Sequence, residues 1–322
     1  MPRVLALRAL GLGDFLTGVP ALRALARALP DHTLVLAAPE VLRPLVELSR
    51  AAEALLPTGE LEPVPWTGSP PEVAVDLHGN GPASKQLLEV LHPRRLIAFA
   101  GPAGDGTRLR GPSWDPDEHE VRRWCRLVGE AFGVEADPTD LILEPPQRPP
   151  LARDAVVVHP GAASRSRRWP QERFAEVARH VAESGRRVVL TGSAGEAALV
   201  ERVRELAGLP REAVAGATDL TDLAALVAAA RLVVCGDTGL AHLASAYRTP
   251  SVVLFGPTPP QRWGPPADGP HTVLWHGDTV GDPHGRDVDP ALLRIGVSDV
   301  VAEVDLRLRP SPAGRRPTAP SA

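Results

Sequence analysis

The chain has 322 residues, 43% hydrophobic but only 4% aromatic, with a formal net charge of −4. That length suits two ordinary domains with aliphatic cores, and the charge excludes the strongly basic face of a dedicated nucleic-acid binder. No apolar run approaches the roughly 20 residues needed to cross a bilayer. The start, MPRVLALRALGLGD, lacks a cleavable signal pattern, so a cytoplasmic protein with at most a peripheral membrane contact is expected.

In chain order, VLAL (4–7) reads as a short buried strand followed by a Gly-rich turn. Phe15, Val19, Leu22, Ala26 and Leu29 then fall at helical spacing before Pro30. Pro20 lacks an N–H, so this helix either starts near Thr17 with Pro20 in its first turn or kinks there. TLVLAA (33–38) is a second strand and VLRPLVELSRAA a helix. EVAVDLHGN (72–80) is a strand ending in a polar loop, SKQLLEVLH a helix, LIAFA a strand and EVRRWCRLVGEAFGV (120–134) an amphipathic helix. Four prolines in EPPQRPPLARD (144–154) sustain neither helix nor central strand, which marks an interdomain linker.

The second half repeats the alternation. AVVVHPG, RRVVLTGS, RLVVCG and SVVLFGP read as strands. QERFAEVARHVAESG, EAALVERVRELAG, DLAALVAAA and GLAHLASAY read as helices, the first two ending at Gly185 and Gly208. The stretch 276–290 is loop-like, with His276, Asp282, His284 and Asp287 dispersed in it as solvated side chains. GVSDVVAEVDL is a last helix, before a Pro-rich, basic tail expected to be disordered. Alternating strands and helices imply right-handed crossovers and parallel sheets covered on both faces. The architecture is therefore two doubly wound α/β domains facing a cleft. Cys125 and Cys235 have no metal-ligand spacing and read as buried free thiols, with a disulfide as the alternative. Lys85 is the single lysine among 35 basic residues, so an arginine here can stand where a relative carries lysine.

Open parallel sheets bind ligands at the carboxyl ends of their strands, and four motifs fall there. GLGD (11–14) fails the dinucleotide spacing, because Leu16 stands where a third glycine is required. Asp14 either projects into the cleft from a tight turn or caps the following helix. HPGAASRSRRWP (159–170) carries Arg165, Arg167 and Arg168, which bind phosphate oxygens or form a solvated basic loop. In LTGSAGE (190–196), Glu196 either accepts from ribose hydroxyls or faces its own helix dipole. In CGDTGLAHLASA (235–246), the N–H groups of Thr238 and Gly239 suit a phosphate, and His242 shares a helix face with Thr238. Asp237 would repel that phosphate, so it either organises the loop or accepts from sugar hydroxyls.

These residues, with ALGLGDFLTGVPALRAL, DLTDLAALVAAARLVVCGDTGLAHLASA and VVLFGPTPPQRWGP, resemble glycosyltransferase family 9, the ADP-heptose:lipopolysaccharide heptosyltransferases, over most of residues 3–265. The resemblance implies a GT-B fold of two Rossmann-like domains. It implies inverting sugar transfer from a nucleotide-diphosphate sugar to a glycan, lipid-linked glycan or small-molecule hydroxyl, with no metal and no cofactor. By position, Asp14 matches the aspartate acting as general base, and Arg167 falls where the family has a phosphate-binding lysine. Glu196 matches the ribose-binding glutamate. Asp237, Thr238, Gly239 and His242 match the segment holding diphosphate and sugar, joined on the donor side by Gly13, Ser164, Arg168 and Gly192. Asp76 and His78 are placed on the acceptor side. The expected domains are 1–148 for the acceptor and 149–290 for the nucleotide sugar, with a C-terminal helix at 291–308 and a tail at 309–322. A nucleotide-sugar epimerase of the same fold and a non-enzymatic nucleotide-sugar binding module are the alternatives; a dinucleotide oxidoreductase is disfavoured by the glycine spacing.

Overall fold

The computed structural model describes residues 1–104, 106–216 and 218–309. The tail expected to be disordered therefore lies, beyond Arg309, outside the described residues. The first half contains β1 (Arg3–Leu7), α1 (Leu12–Ala28), β2 (Thr33–Ala38), α2 (Arg43–Ser49), β3 (Ala54–Pro57), β4 (Val73–Asp76), α3 (Pro82–Glu89) and β5 (Arg95–Ile97). A two-strand ribbon, β6 (Gly101–Pro102) with β7 (Arg108–Leu109), and α4 (Glu120–Phe132) follow. The second half contains β8 (Val156–His159), α5 (Gln171–Glu183), β9 (Val188–Leu190), α6 (Ala197–Ala207), α7 (Leu220–Ala228), β10 (Leu232–Gly236) and α8 (Gly239–Ala246). It ends with β11 (Ser251–Phe255), α9 (Pro260–Trp263), β12 (His271–Trp275), α10 (Pro290–Arg294) and α11 (Val297–Leu308).

Two five-stranded parallel sheets result, in the orders β3-β2-β1-β4-β5 and β12-β11-β10-β8-β9. The inner strands are short and apolar because both faces are covered: β1 reads RVLAL and β10 LVVCG, each buried almost throughout. One apolar core runs from the first sheet through α1 and α8 onto one face of the second. Separate cores cover the two outer faces. Both cysteines are buried and free.

Three expectations are corrected. First, α1 starts at Leu12, not near Thr17, and continues through Pro20. A proline inside a helix costs about 3 kcal/mol. Burial of Phe15, Leu16, Val19, Leu22 and Leu25 at 1% exposure or less offsets this, at roughly 1.5–3 kcal/mol each. GLGD is thus the first turn of a helix, with Gly11 at its N-cap and Asp14 inside it. Second, the edge strands β3 and β12 were not legible as strands, because half-exposed edges lack a continuous apolar run. Third, the C-terminal helix expected over 291–308 is two helices, broken at Ile295–Gly296, which pack on the second sheet and α5.

The proline-rich linker is pinned to both halves. Glu144 donates its N–H to Leu48 O (3.4 Å) and pairs with Arg50 (2.9 Å), and Arg148 pairs with Asp219 and Asp222. The halves also meet directly where α1 and α8 begin. A Cβ on Gly239 would lie 2.9 Å from Leu12 Cβ, and one on Gly13 would lie 2.9 Å from His242 Cδ2. Both glycines are required by this close approach of two helix N-termini.

Candidate active site

The site starts from Arg8, the residue after β1, which is fully buried. Its Nε donates to Asp14 O and its Nη1 to Leu77 O, while Nη2 donates to Thr17 Oγ1 (2.9 Å) and Glu120 Oε1 (3.1 Å). One guanidinium thus ties the end of β1 to the first turns of α1, the segment after β4, and the start of α4. The guanidinium also lies 4.8 Å from the Trp124 ring centroid. Sequence reasoning missed this residue; the only signal was a charge closing the apolar run RVLALRAL.

Asp14 stands at this junction, partly exposed. Burial pushes its carboxyl above the usual aspartate range. The Arg8 charge and the N–H groups of Asp14 and Gly11 work against that shift, and Glu120 works with it. Desolvation therefore outweighs the helix N-terminus. Asp237, after β10, is 6% exposed and is pushed up to about 6 by burial, with the Arg167 charge opposing and Asp14 adding to the shift. Asp14 and Asp237, more than 200 residues apart in sequence, thus sit within electrostatic reach of each other across the two halves. Arg167 Nη1 donates to Asp237 O at 3.4 Å, and its Nε is buried with no hydrogen-bond partner among the described residues.

Thr238 is the N-cap of α8, with no side-chain cap, so the first N–H groups of the helix are left for another acceptor. The buried Thr238 hydroxyl lies beside the Cys235 thiol and has no oxygen or nitrogen partner among the described residues. These groups open on a cavity of about 790 Å³, a size suited to a small ligand. His159, Gly192, Glu196, Thr238 and Gly239 line it from the second half, and Leu12 and Glu40 from the first. Glu196 Oε2 accepts from the N–H and hydroxyl of Ser193, both at 2.8 Å, so Glu196 caps its own helix. Its other oxygen faces Gly161, where a Cβ would come within 2.2 Å. Burial raises the Glu196 carboxyl, but Ser193, His159 and Arg168 outweigh it and hold the group below its ordinary value. His159, which shares a 3.1 Å hydrogen bond with Thr191 Oγ1, is pushed down by burial.

Other expected site residues are placed elsewhere. His242 lines a different interdomain cavity, of about 1010 Å³, between α1, α4 and residues 261–268. It packs edge-on against Trp263 (5.8 Å), and burial pushes it down to about 4, so the imidazole is neutral. The Ser164 hydroxyl is committed to Ser166 Oγ (2.8 Å) and Gly285 O (3.1 Å), and Arg168 Nε to Ala162 O (2.8 Å). These two side chains shape the loop. Asp76 is fully buried and pushed up to about 6 by burial; it accepts from His78 N–H (3.0 Å) and Ser84 Oγ (2.8 Å), which organises the segment after β4. His78 is half-buried near the Arg8 charge, with a buried, unpartnered Nδ1. Among the described residues, no three His, Cys, Asp or Glu side chains are grouped as metal ligands.

The family model described as Glycosyltransferase family 9 (heptosyltransferase) matches residues 110–280, just over half of the chain. A lipooligosaccharide heptosyltransferase 2 of Haemophilus influenzae is 35% identical over 115 residues, covering 34% of this chain and 32% of that protein. A lipopolysaccharide heptosyltransferase 1 of Pseudomonas aeruginosa is 40% identical over 149 residues, covering 44% and 41%. The chain thus spans about a third to two fifths of the length of these curated relatives. Among solved structures, a glycosyl transferase family 9 protein from Veillonella parvula superposes with a TM-score of 0.78 at 19% identity, over 95% of this chain and 97% of that one. An E. coli heptosyltransferase solved with ADP gives 0.72 at 21% identity, over 95% and 99%. The fold is therefore GT-B, and the chain belongs to glycosyltransferase family 9.

Proposed function

We propose that this chain transfers a heptose from an ADP-heptose donor to a hydroxyl of a glycan acceptor of the lipopolysaccharide type, with inversion and without a metal ion. The observation that carries the reading is the meeting of Asp14, Asp237 and Arg167 where the N-termini of α1 and α8 touch, beside the cavity holding Glu196. The α8 N–H groups and Arg167 would hold the diphosphate, and the free oxygen of Glu196 would accept from ribose. In a single displacement, the acceptor oxygen attacks the anomeric carbon as the bond to the diphosphate oxygen breaks. Asp14 takes the acceptor proton, and its raised pKa makes it a stronger base than an exposed aspartate. Negative charge growing on the departing ADP is met by Arg167 and the α8 dipole, preorganised donors that need no reorientation. The related names support the donor and acceptor classes, and a nucleotide-sugar substrate supports a cytoplasmic location. No described helix is long and apolar enough to cross a membrane.

The test is Asp14→Asn, assayed for heptose transfer from ADP-heptose and for ADP binding by thermal shift. Turnover should fall about 10²–10⁴-fold, as expected for loss of a general base, while the ADP-induced shift persists. Transfer at the wild-type rate would remove Asp14 from the mechanism. A strict requirement for Mg²⁺ in the wild type, seen as activity lost to chelator and restored by the ion, would overturn the metal-free step.

A further inference from the structure

The loop 276–290 has no part in the chemistry above, yet it does not stand off in solvent. The Gly285 carbonyl accepts from Ser166 N–H (3.3 Å) and Ser164 Oγ (3.1 Å), Asp289 N–H donates to Ser166 O (3.2 Å), and Gly281 N–H donates to Pro257 O (2.8 Å). A Cβ on Gly285 would lie 3.3 Å from Ser166 Cβ. Four hydrogen bonds and a close approach therefore fix the segment 281–289, three of those bonds joining it to the arginine-bearing loop after β8.

A pocket of about 500 Å³ opens between them, lined by Arg165, Arg167, His284 and Arg286 with Ala163, Ser164 and Gly285, and by no carboxylate. Asp282, Asp287 and Asp289 do not line it; Asp282 Oδ1 accepts from His284 N–H (2.8 Å) and Asp289 Oδ1 from Ala291 N–H (2.8 Å). Arg165 and Arg286 have no carboxylate or carbonyl partner among the described residues, and the buried Arg167 Nε is unpaired. Three guanidinium groups around a pocket lined by no carboxylate repel one another, and Asp237, which lies near Arg167 only, offsets part of that; an anion of several oxygens relieves the rest through charge-assisted, bidentate contacts.

We infer that the loop 282–289 completes, against the loop 164–168, a binding pocket for phosphoryl oxygens in which Arg286 and Arg165 act beside Arg167. The inference deepens the proposed transferase reading, on which the role of Arg167 rests. The pocket meets the nucleotide cavity at Ala163, which lines both. The phosphoryl group is therefore either the donor's diphosphate or a phosphate carried by the acceptor glycan.

The experiment uses the full chain with Arg286→Gln, Arg165→Gln and the double variant. Both arginines are exposed, so the substitutions leave the cores intact. Calorimetric affinity for inorganic pyrophosphate should fall about tenfold per substitution, the scale of one charge-assisted contact, and its salt dependence should weaken. A rise in KM for ADP-heptose assigns the pocket to the donor. A rise confined to a phosphorylated acceptor, absent with its dephosphorylated form, assigns it to the acceptor; either result supports the pocket. Unchanged pyrophosphate affinity in the double variant, with both KM values unchanged, overturns it while leaving transfer by the wild type standing. Arginine-dependent pyrophosphate binding in a chain that transfers no heptose would instead sink the transferase reading and keep the pocket.

Discussion

Replacing Arg8 by Met keeps an unbranched apolar stem and removes the guanidinium that joins β1, α1, α4 and the segment after β4. The carbonyls of Asp14 and Leu77 lose their charged donor, and Thr17 Oγ1 and Glu120 Oε1 lose Nη2. Breaking a buried ion pair from one side costs about 3–5 kcal/mol. Glu120 keeps Arg123 and the Trp124 indole N–H (2.7 Å), so its charge is not stranded, which places the cost near the lower figure, about 3 kcal/mol. For a domain of about 150 residues that loss lowers Tm by roughly 6–12 °C, readable by calorimetry. A second readout separates electrostatics from simple loosening. Arg8 opposes the upward shift of Asp14, so removing it raises that pKa further. If Asp14 is the base proposed above, acting ionised, the acid limb of the kcat/KM profile should move to higher pH, and Arg8→Lys should bring it back part of the way. A variant that melts early but keeps the wild-type acid limb would refute the coupling of Arg8 to a titrating Asp14.

Asp237 offers a stability test whose sign is opposite to that of an ordinary paired carboxylate. Its folded pKa, about 6, lies above the ordinary aspartate value of 3.8, so the folded state holds the extra proton between those values and stability falls as pH rises through that window. Asp237→Asn should therefore stabilise the protein above pH 6, by on the order of 3 kcal/mol at most, and leave stability near pH 3.5 almost unchanged; equal effects at both pH values in thermal melts would contradict the burial argument. At the seam between the halves, Gly239→Ala places a methyl 2.9 Å from Leu12 Cγ and 3.0 Å from its Cδ2 and should cost about 1–3 kcal/mol. Leu12→Ala in the same chain should recover part of that loss, and an additive double mutant would show that α1 and α8 do not touch there in solution.

Much of this architecture was legible in the sequence because its determinants are local. VLAL, TLVLAA, RLVVCG and SVVLFGP are continuous apolar runs that only a strand covered on both faces accommodates, and Gly208 ends its helix at a φ of 69° that suits glycine. Motifs at strand ends also foretold which loops would line the cleft. The strands β3 and β12 escaped notice because each is only half buried, whereas the edge strand β9, VVL, is buried throughout and was legible.

The sequence by itself determined the order of elements, the two parallel sheets and the chemical types at each strand end. Tertiary structure decided which of those groups share a cavity. It buried Arg8 against Glu120, 112 positions away, brought Asp14 within reach of Asp237, and turned His242 toward a different cavity from Thr238. It also laid the turn at Gly285 on Ser164 and Ser166. Periodicity and turn chemistry act over a few residues, whereas desolvation and charge pairing depend on which surfaces pack together, and no local pattern records that.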